Sequence, residues 1–256
     1  MLVVTAVAAE ADSVAAGLGP GGDPEVPLPG GFTLRRLAGR SAVVDVLAAG
    51  VGPAAAATAT ATALAAATLG ARAPLGTPVR PYDLVVSAGI AGGFAPHAPL
   101  GHVVVSDALV GADLGAETGD GYLAVEELGF GRSVHPVPRT LTERVAGALA
   151  HGGQPHVVGP VLTVSTVTGS ADRAAELAER HPGAAAEAME GFGVAEAAAA
   201  YGVPVVEIRA VSNAVGPRDR AAWRIGPALD ALRNAFRLLG STVFPTVPVD
   251  PEESSS

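Results

Sequence analysis

Glu10, Glu190 and Asn213 stand where an otherwise apolar chain offers little reason for a polar side chain. Glu10 directly follows the apolar run Leu2–Val7. A carboxylate at the carboxyl end of a first strand faces the crevice in which open α/β sheets bind ligands, and there it can activate a water. The alternative is an acid that begins a helix with Asp12 and Ser13, where negative charge suits the helix dipole. Glu190 sits beside Met189 at the head of Gly191–Tyr201, a segment whose only strongly polar residue is Glu196. A buried carboxylate without partner or ligand is too costly to retain, and a pair of ligand hydroxyls is one natural partner. Met189 supplies a soft apolar surface next to it. A helix-start role is again the alternative. Asn213, preceded by Ser212, ends the run Val203–Val211. Its amide offers both a donor and an acceptor, which suits the edge of a heterocycle, or else it is a turn residue ahead of Gly216-Pro217.

Two further patterns sit close to these residues in the chain. The glycine-rich turn "SAGIAGGF", Ser87 to Phe94, follows a buried strand and contains Gly89 and Ile90. It has neither the dinucleotide nor the phosphate-loop spacing, and Pro96 and Pro99 oppose a following helix, so ligand loop and sharp structural turn both stay open. Glu207 and Arg209 lie two apart on one strand face, the placing of a structural ion pair. The six histidines lack ligand spacing and there is no cysteine, so no metal and no cofactor is expected.

The elements that must position these groups follow from the hydrophobic pattern. Continuous apolar runs at 2–7, 42–48, 84–86, 102–105, 157–164 and 203–211 suit strands buried on both faces. Between them, alanine-rich stretches at 11–18, 53–70, 139–151, 171–180, 191–201 and 220–238 carry helical spacing. Strands alternating with helices predict an α/β fold, a three-layer α/β/α sandwich in one domain over residues 1–240. Gly19–Pro24 and Pro27–Gly31 predict an exposed loop leading into a hairpin-like region at 32–48. Prolines interrupt residues 73–81, and 241–256 predict a disordered tail.

Composition narrows the chemistry. The 256-residue chain is 49% hydrophobic, enough for one large core. All 16 basic residues are arginine, so lysine Schiff bases, pyridoxal-phosphate attachment and the Walker lysine are excluded. A net charge of -9 with scattered arginines argues against nucleic acid. The apolar start lacks a basic leader and meets Glu10 and Asp12, and the alanine-threonine helix at 54–71 is too weakly apolar for a membrane span. A cytoplasmic protein without a membrane partner is expected.

Five segments in order, "AVAAE" at 6–10, "SAGIAGGF" at 87–94, "VSTVTGSADR" at 164–173, "EAMEGFG" at 187–193 and "EIRAVSN" at 207–213, carry a resemblance. The chain resembles the purine nucleoside phosphorylase/uridine phosphorylase superfamily, nearest its methylthioadenosine/S-adenosylhomocysteine nucleosidase branch. Within that, "MEGFG" and "RAVSNAVGPRDRAAW" are most similar to futalosine hydrolases. The resemblance spans residue 1 to about 240 and implies a role for each matched residue. Glu10 would orient and deprotonate the attacking water. Met189 would lie under the sugar and Glu190 accept its 2' and 3' hydroxyls. Gly89 and Ile90 would form the turn over the reacting carbon, and backbone groups of Thr168, Gly169 and Ser170 would contact the purine edge.

Two positions depart from the nucleosidase pattern. Asn213 replaces an aspartate that protonates N7 of adenine, and an amide cannot act as a general acid. It can donate to O6 or N7 of a 6-oxopurine, and the resemblance pairs asparagine here with such bases. Phosphorylases of this superfamily hold phosphate with an arginine near the N-terminal loop and a serine in the glycine turn. Here the first basic residue is Arg35 and Ile90 takes the serine's place. The expected reaction is hydrolysis of the N-ribosidic bond of futalosine, releasing hypoxanthine and dehypoxanthine futalosine on a menaquinone route. A purine nucleoside phosphorylase, an adenine nucleosidase and a silent nucleoside-binding module are the alternatives. The resemblance also implies a homodimer or larger homo-oligomer.

Overall fold

A computed structural model describes residues 1–19, 25–38, 43–70, 82–119 and 121–244. The first part holds β1 (Leu2–Thr5), α1 (Ala8–Leu18), β2 (Glu25–Pro27), β3 (Thr33–Ala38), β4 (Val43–Ala48) and α2 (Pro53–Gly70). The middle holds β5 (Val85–Gly93), β6 (Val103–Val105), β7 (Ala108–Gly111), β8 (Gly115–Thr118), β9 (Gly121–Ala124), β10 (Val134–Pro136) and α3 (Arg139–His151). The last part holds β11 (His156–Val158), β12 (Val161–Thr163), α4 (Ala171–Arg180), β13 (Ala186–Ala188), α5 (Gly191–Ala200), β14 (Val205–Ala214) and α6 (Ile225–Thr242).

Twelve strands form one mixed sheet and β8–β9 a separate hairpin. Helices α1 and α3 both pack on α6, α2 packs with α5, and α5 and α6 both press on β5 and β14. The sheet is thus covered by helices on both faces, the α/β architecture expected of strands that are apolar throughout. Val85, Val86, Val206, Ile208 and Ala210 are fully buried between the layers.

The strand β5 organises the centre. Along one edge it pairs with β14 in parallel from Val205↔Val85 to Ala214↔Gly93, with a bulge between Val211 and Asn213. Along the other it pairs first with β1, parallel, at Val85 to Ser87, and then with β13, antiparallel, at Gly92 and Gly93. Between those registers, residues 88–91 have no strand partner on that edge among the described residues. The groups that follow β1 and β13 converge on this gap.

Several boundaries differ from the sequence pattern. The single run expected at 157–164 breaks at Gly159-Pro160 into β11, which pairs with β6, and β12, which pairs with β7 and β13. Proline has no N–H for a ladder, and a Cβ at Gly159 would lie 2.9 Å from the Gly183 carbonyl oxygen. The helix expected at 220–238 begins only at Ile225, after a 3-10 turn at Arg220–Ala222. Its far end passes the expected boundary at 240: Ser241 and Thr242 close the helix, and Val243 and Phe244 are buried. The remainder of that tail, the proline-interrupted stretch 73–81 and residues 20–24 of the first loop lie outside the described residues. Short strands such as β7, β10 and β13 were not anticipated, because three or four residues are too few to establish a period.

Candidate active site

Glu10 occupies the first turn of α1, and its two oxygens are used differently. Oε2 accepts the backbone N–H groups of Ala6 and Val7 at 3.0 and 3.3 Å, which anchors the turn entering the helix. Oε1 accepts the N–H of Ile90 at 2.9 Å, a donor in the unpartnered stretch of β5. Glu10 is thus a helix-start acid that also reaches the glycine turn. An ionised carboxylate offers about four acceptor positions, so the three N–H groups leave one for a further donor such as water.

Glu190 lies at the N-terminus of α5, buried to 5% exposure. Its Oε1 accepts from Gly52 N at 3.2 Å, and its Oε2 from Met189 N at 3.3 Å and from Arg209 Nη2 at 3.0 Å. Of the partner or ligand that this buried carboxylate requires, the fold provides the partner. The protein supplies a guanidinium and two N–H groups, because β14 threads Arg209 beneath the start of α5. Arg209 is 1% exposed, and its Nε also binds Glu207 Oε1 at 2.7 Å. The ion pair expected between residues 207 and 209 is present, and it extends into the site. Ser87 and the carbonyl of Ile90 accept from the same guanidinium at 3.3 and 3.4 Å.

The glycine turn is where these groups close on one another. A Cβ at Gly89 would lie 2.5 Å from Glu10 Oε1 and 2.6 Å from Arg209 Nη1, so only glycine admits both side chains at once. Glu207 sits deeper, with Oε2 buried and unpartnered. Burial pushes its carboxyl above the usual range against the pull of Arg209.

Asn213 stands four residues beyond Arg209, just past the bulge in β14. The Ser212 hydroxyl donates to its Oδ1 at 2.8 Å, and its Nδ2 donates to the Ala214 carbonyl at 3.0 Å. That bond orients the amide with its donors away from Ser212. Thr168 is buried on the other side of β5, where its N–H and its hydroxyl both donate to Glu187. Ser170 is exposed and caps α4, accepting the N–H of Arg173 at 3.2 Å, while Gly169 runs beside the Arg218 side chain. Met189 is half-buried at the end of β13. Hydrogen bonds and close approaches thus join Glu10, Gly89, Ile90, Met189 and Glu190, while Asn213 lies further along β14 and Thr168 sits in the loop between β12 and α4. Arg209, Gly52 and Glu187 were missed as members of this region. A carboxylate inside an alanine run was the one available signal, for Glu187.

Beside the cluster, Leu114, Phe130, Gly131, Arg132, Phe192 and Glu196 line an open groove of about 680 Å³. Glu196, the polar residue of α5, is held there by His135 Nε2 at 2.6 Å and Arg132 Nε at 3.5 Å.

A family model described as the phosphorylase superfamily matches residues 2–239. The chain is 61% identical over 235 residues to a futalosine hydrolase of Streptomyces coelicolor, covering 92% of each protein. It is 47% identical over 240 residues to a futalosine hydrolase of Acidothermus cellulolyticus, covering 94% of this chain and 90% of that one. Among solved structures, the futalosine hydrolase of Helicobacter pylori superposes with a TM-score of 0.77 at 16% identity, covering 93% of this chain and 95% of its own. The 5'-methylthioadenosine/S-adenosylhomocysteine nucleosidase of Neisseria meningitidis, in complex with methylthio-immucillin-A, gives 0.75 at 19% identity, covering 94% and 98%. At these identities the two structures bear on the fold alone.

Proposed function

The chain belongs to the phosphorylase superfamily, within the group of futalosine hydrolases, and we propose that it cleaves the N-ribosidic bond of futalosine with water. The products are hypoxanthine and dehypoxanthine futalosine, as a step towards menaquinone. One observation supports water over phosphate as the nucleophile: Arg209, the guanidinium at Gly89, is already committed to Glu190 and Glu207. A phosphate dianion beside it would meet three carboxylates, those of Glu10, Glu190 and Glu207, and the apolar side chain of Ile90. Desolvating such an anion there has no compensation.

In this reading the carbon–nitrogen bond breaks ahead of attack and the ribosyl group gains positive charge. Glu190, fixed by Arg209 and Gly52, accepts a sugar hydroxyl through its remaining acceptor position and stabilises that charge. The bonding electrons leave with the base, whose O6 and N7 face the Asn213 amide donor. Glu10 takes one proton from the attacking water through its remaining acceptor position, and the hydroxide bonds to the sugar carbon. The departed base anion takes a proton from solvent to become hypoxanthine, and Glu10 returns its own to solvent. Met189 and the Gly89–Ile90 turn bracket the sugar. Thr168 to Ser170 border the base end.

We place the protein in the cytoplasm as a homodimer. No helix among the described residues is long and apolar enough to cross a membrane. Support for the dimer is the exposed apolar set around the groove, with Phe130 80% and Leu114 40% exposed.

Incubating the protein with futalosine in the presence and absence of phosphate, and separating the products, tests the reaction. Hypoxanthine with an unphosphorylated sugar product under both conditions is expected. A sugar 1-phosphate would establish phosphorolysis instead.

A further inference from the structure

We propose that Glu187 is a specificity-determining residue that accepts the N1–H of a 6-oxopurine, opposite the Asn213 amide. The inference deepens the futalosine reading and rests on it. Its basis is a register that sequence spacing does not reveal. Glu187 on β13 and Asn213 on β14 are both ladder partners of Gly92, one on each side of β5. Ladder partners on adjacent strands share a face, and strands lie about 4.8 Å apart, so the two residues stand roughly 9.6 Å apart, backbone to backbone, across β5. The residue between them has no side chain, and Val215 and Asn213 are the groups that approach its face. A Cβ on Gly92 would lie 3.3 Å from Asn213 Nδ2 and 3.0 Å from Val215 Cγ2.

The hydrogen bonding of Glu187 fixes what this edge presents. Thr168 N donates to Oε1 at 2.9 Å and the Thr168 hydroxyl donates to Oε2. The Thr168 N–H, one of the backbone groups that the resemblance directs to the purine edge, is therefore spent on a carboxylate, and the carboxylate takes its place at the edge. Each oxygen retains a further lone pair. Glu187 is 5% exposed and makes no ion pair among the described residues; Arg173 and Asp113 are charges that act on it. Burial raises its carboxyl from the usual range, only partly opposed by Thr168. An additional N–H donor from a ligand would offset that cost.

The two bases differ at this position. Hypoxanthine carries a proton on N1 and a carbonyl at C6; adenine carries a lone pair on N1 and an amine at C6. An acceptor-only carboxylate facing N1, with an amide donor facing O6 and N7, matches the first pattern and sets lone pair against lone pair in the second. Asn213 alone reads one side of the base. Glu187 would read the other.

The test is calorimetric titration of free hypoxanthine, adenine and 1-methylhypoxanthine into the wild-type protein and into Glu187→Gln. In the variant the Thr168 N–H keeps the amide oxygen, leaving the NH2 as a donor at the edge. The ratio of hypoxanthine to adenine affinity should fall at least about tenfold on substitution. Equal ratios in the two proteins would overturn the proposal. The wild-type arm needs no variant to fold: methylation of N1 removes the donor and should weaken binding about tenfold or more, whereas 1-methylhypoxanthine binding as tightly as hypoxanthine would also overturn it. Failure of the wild type to cleave futalosine would remove the functional reading alone, because the Glu187-dependent base preference is measured without turnover.

Discussion

At the scale of single residues, Glu10 carries more than one duty, and its substitution reports on both. Because Oε1 and Oε2 each accept backbone N–H groups, either orientation of a glutamine sets an NH2 against a buried donor. Glu10→Gln should lower turnover by about 10²- to 10⁴-fold with a much smaller change in KM. It should also cost about 1–3 kcal/mol of stability. Steady-state kinetics with urea unfolding of the same preparation checks both. Unchanged turnover with lost stability would leave Glu10 as an anchor for the start of α1 only. Glu207 gives a pH signature. Its folded-state carboxyl is raised above the ordinary 4.5 by burial, against Arg209 and Ser87 and with Glu190 acting in the same direction as burial. A carboxyl that holds its proton more tightly when folded stabilises the fold below its unfolded value, and this contribution is lost as pH rises through the folded one. Glu207→Gln should therefore flatten the decline in stability above about pH 4.5, by at most about 1.4 kcal/mol per pH unit. Urea midpoints taken across that range would show it, and parallel curves for the two proteins would contradict it.

Elements meet in this fold through glycines, and two of them give opposite expectations. Gly89 lies where the carboxylate from α1 and the guanidinium from β14 reach β5, so Gly89→Ala must push one of them aside. Overpacking of this kind costs about 1–3 kcal/mol, and displacement of a catalytic group by about 1 Å can remove 100-fold of rate. Gly147 lies inside α3 with open space around a Cβ. Gly147→Ala should raise stability by about 0.5–1 kcal/mol and leave turnover alone. Thermal unfolding and activity of the pair separate them cleanly. A tolerated Gly89→Ala would mean that Glu10 and Arg209 do not close on the turn in solution. The same close approach recurs where α2 meets α5: a side chain on Gly193 would collide with the Pro53 carbonyl, and that approach lets Gly52 donate to Glu190.

For the whole molecule, the testable expectation is association. Phe130 and Leu114 expose apolar surface at the groove beside α5, a contiguous patch rather than scattered surface hydrophobics. Phe130→Asp should convert the proposed dimer into a species of the chain mass, 25.2 kDa, by sedimentation velocity. A wild type that sediments as a monomer would remove the dimer. The amino-acid pattern by itself determined the α/β class and located Glu10 and Asn213 at strand ends and Glu190 at the head of a helix. Burial period and strand-end position are local properties, written in consecutive residues. It also placed Glu207 and Arg209 on one strand face, since two residues apart is a fixed relation in any strand. What it left open was every relation across the sheet. That Arg209 lies under Glu190, that Gly52 donates to it, and that Glu187 and Asn213 share Gly92 as partner depend on strand order and register. Those are set by long-range packing, and a shift of one residue would turn each of these side chains to the opposite face.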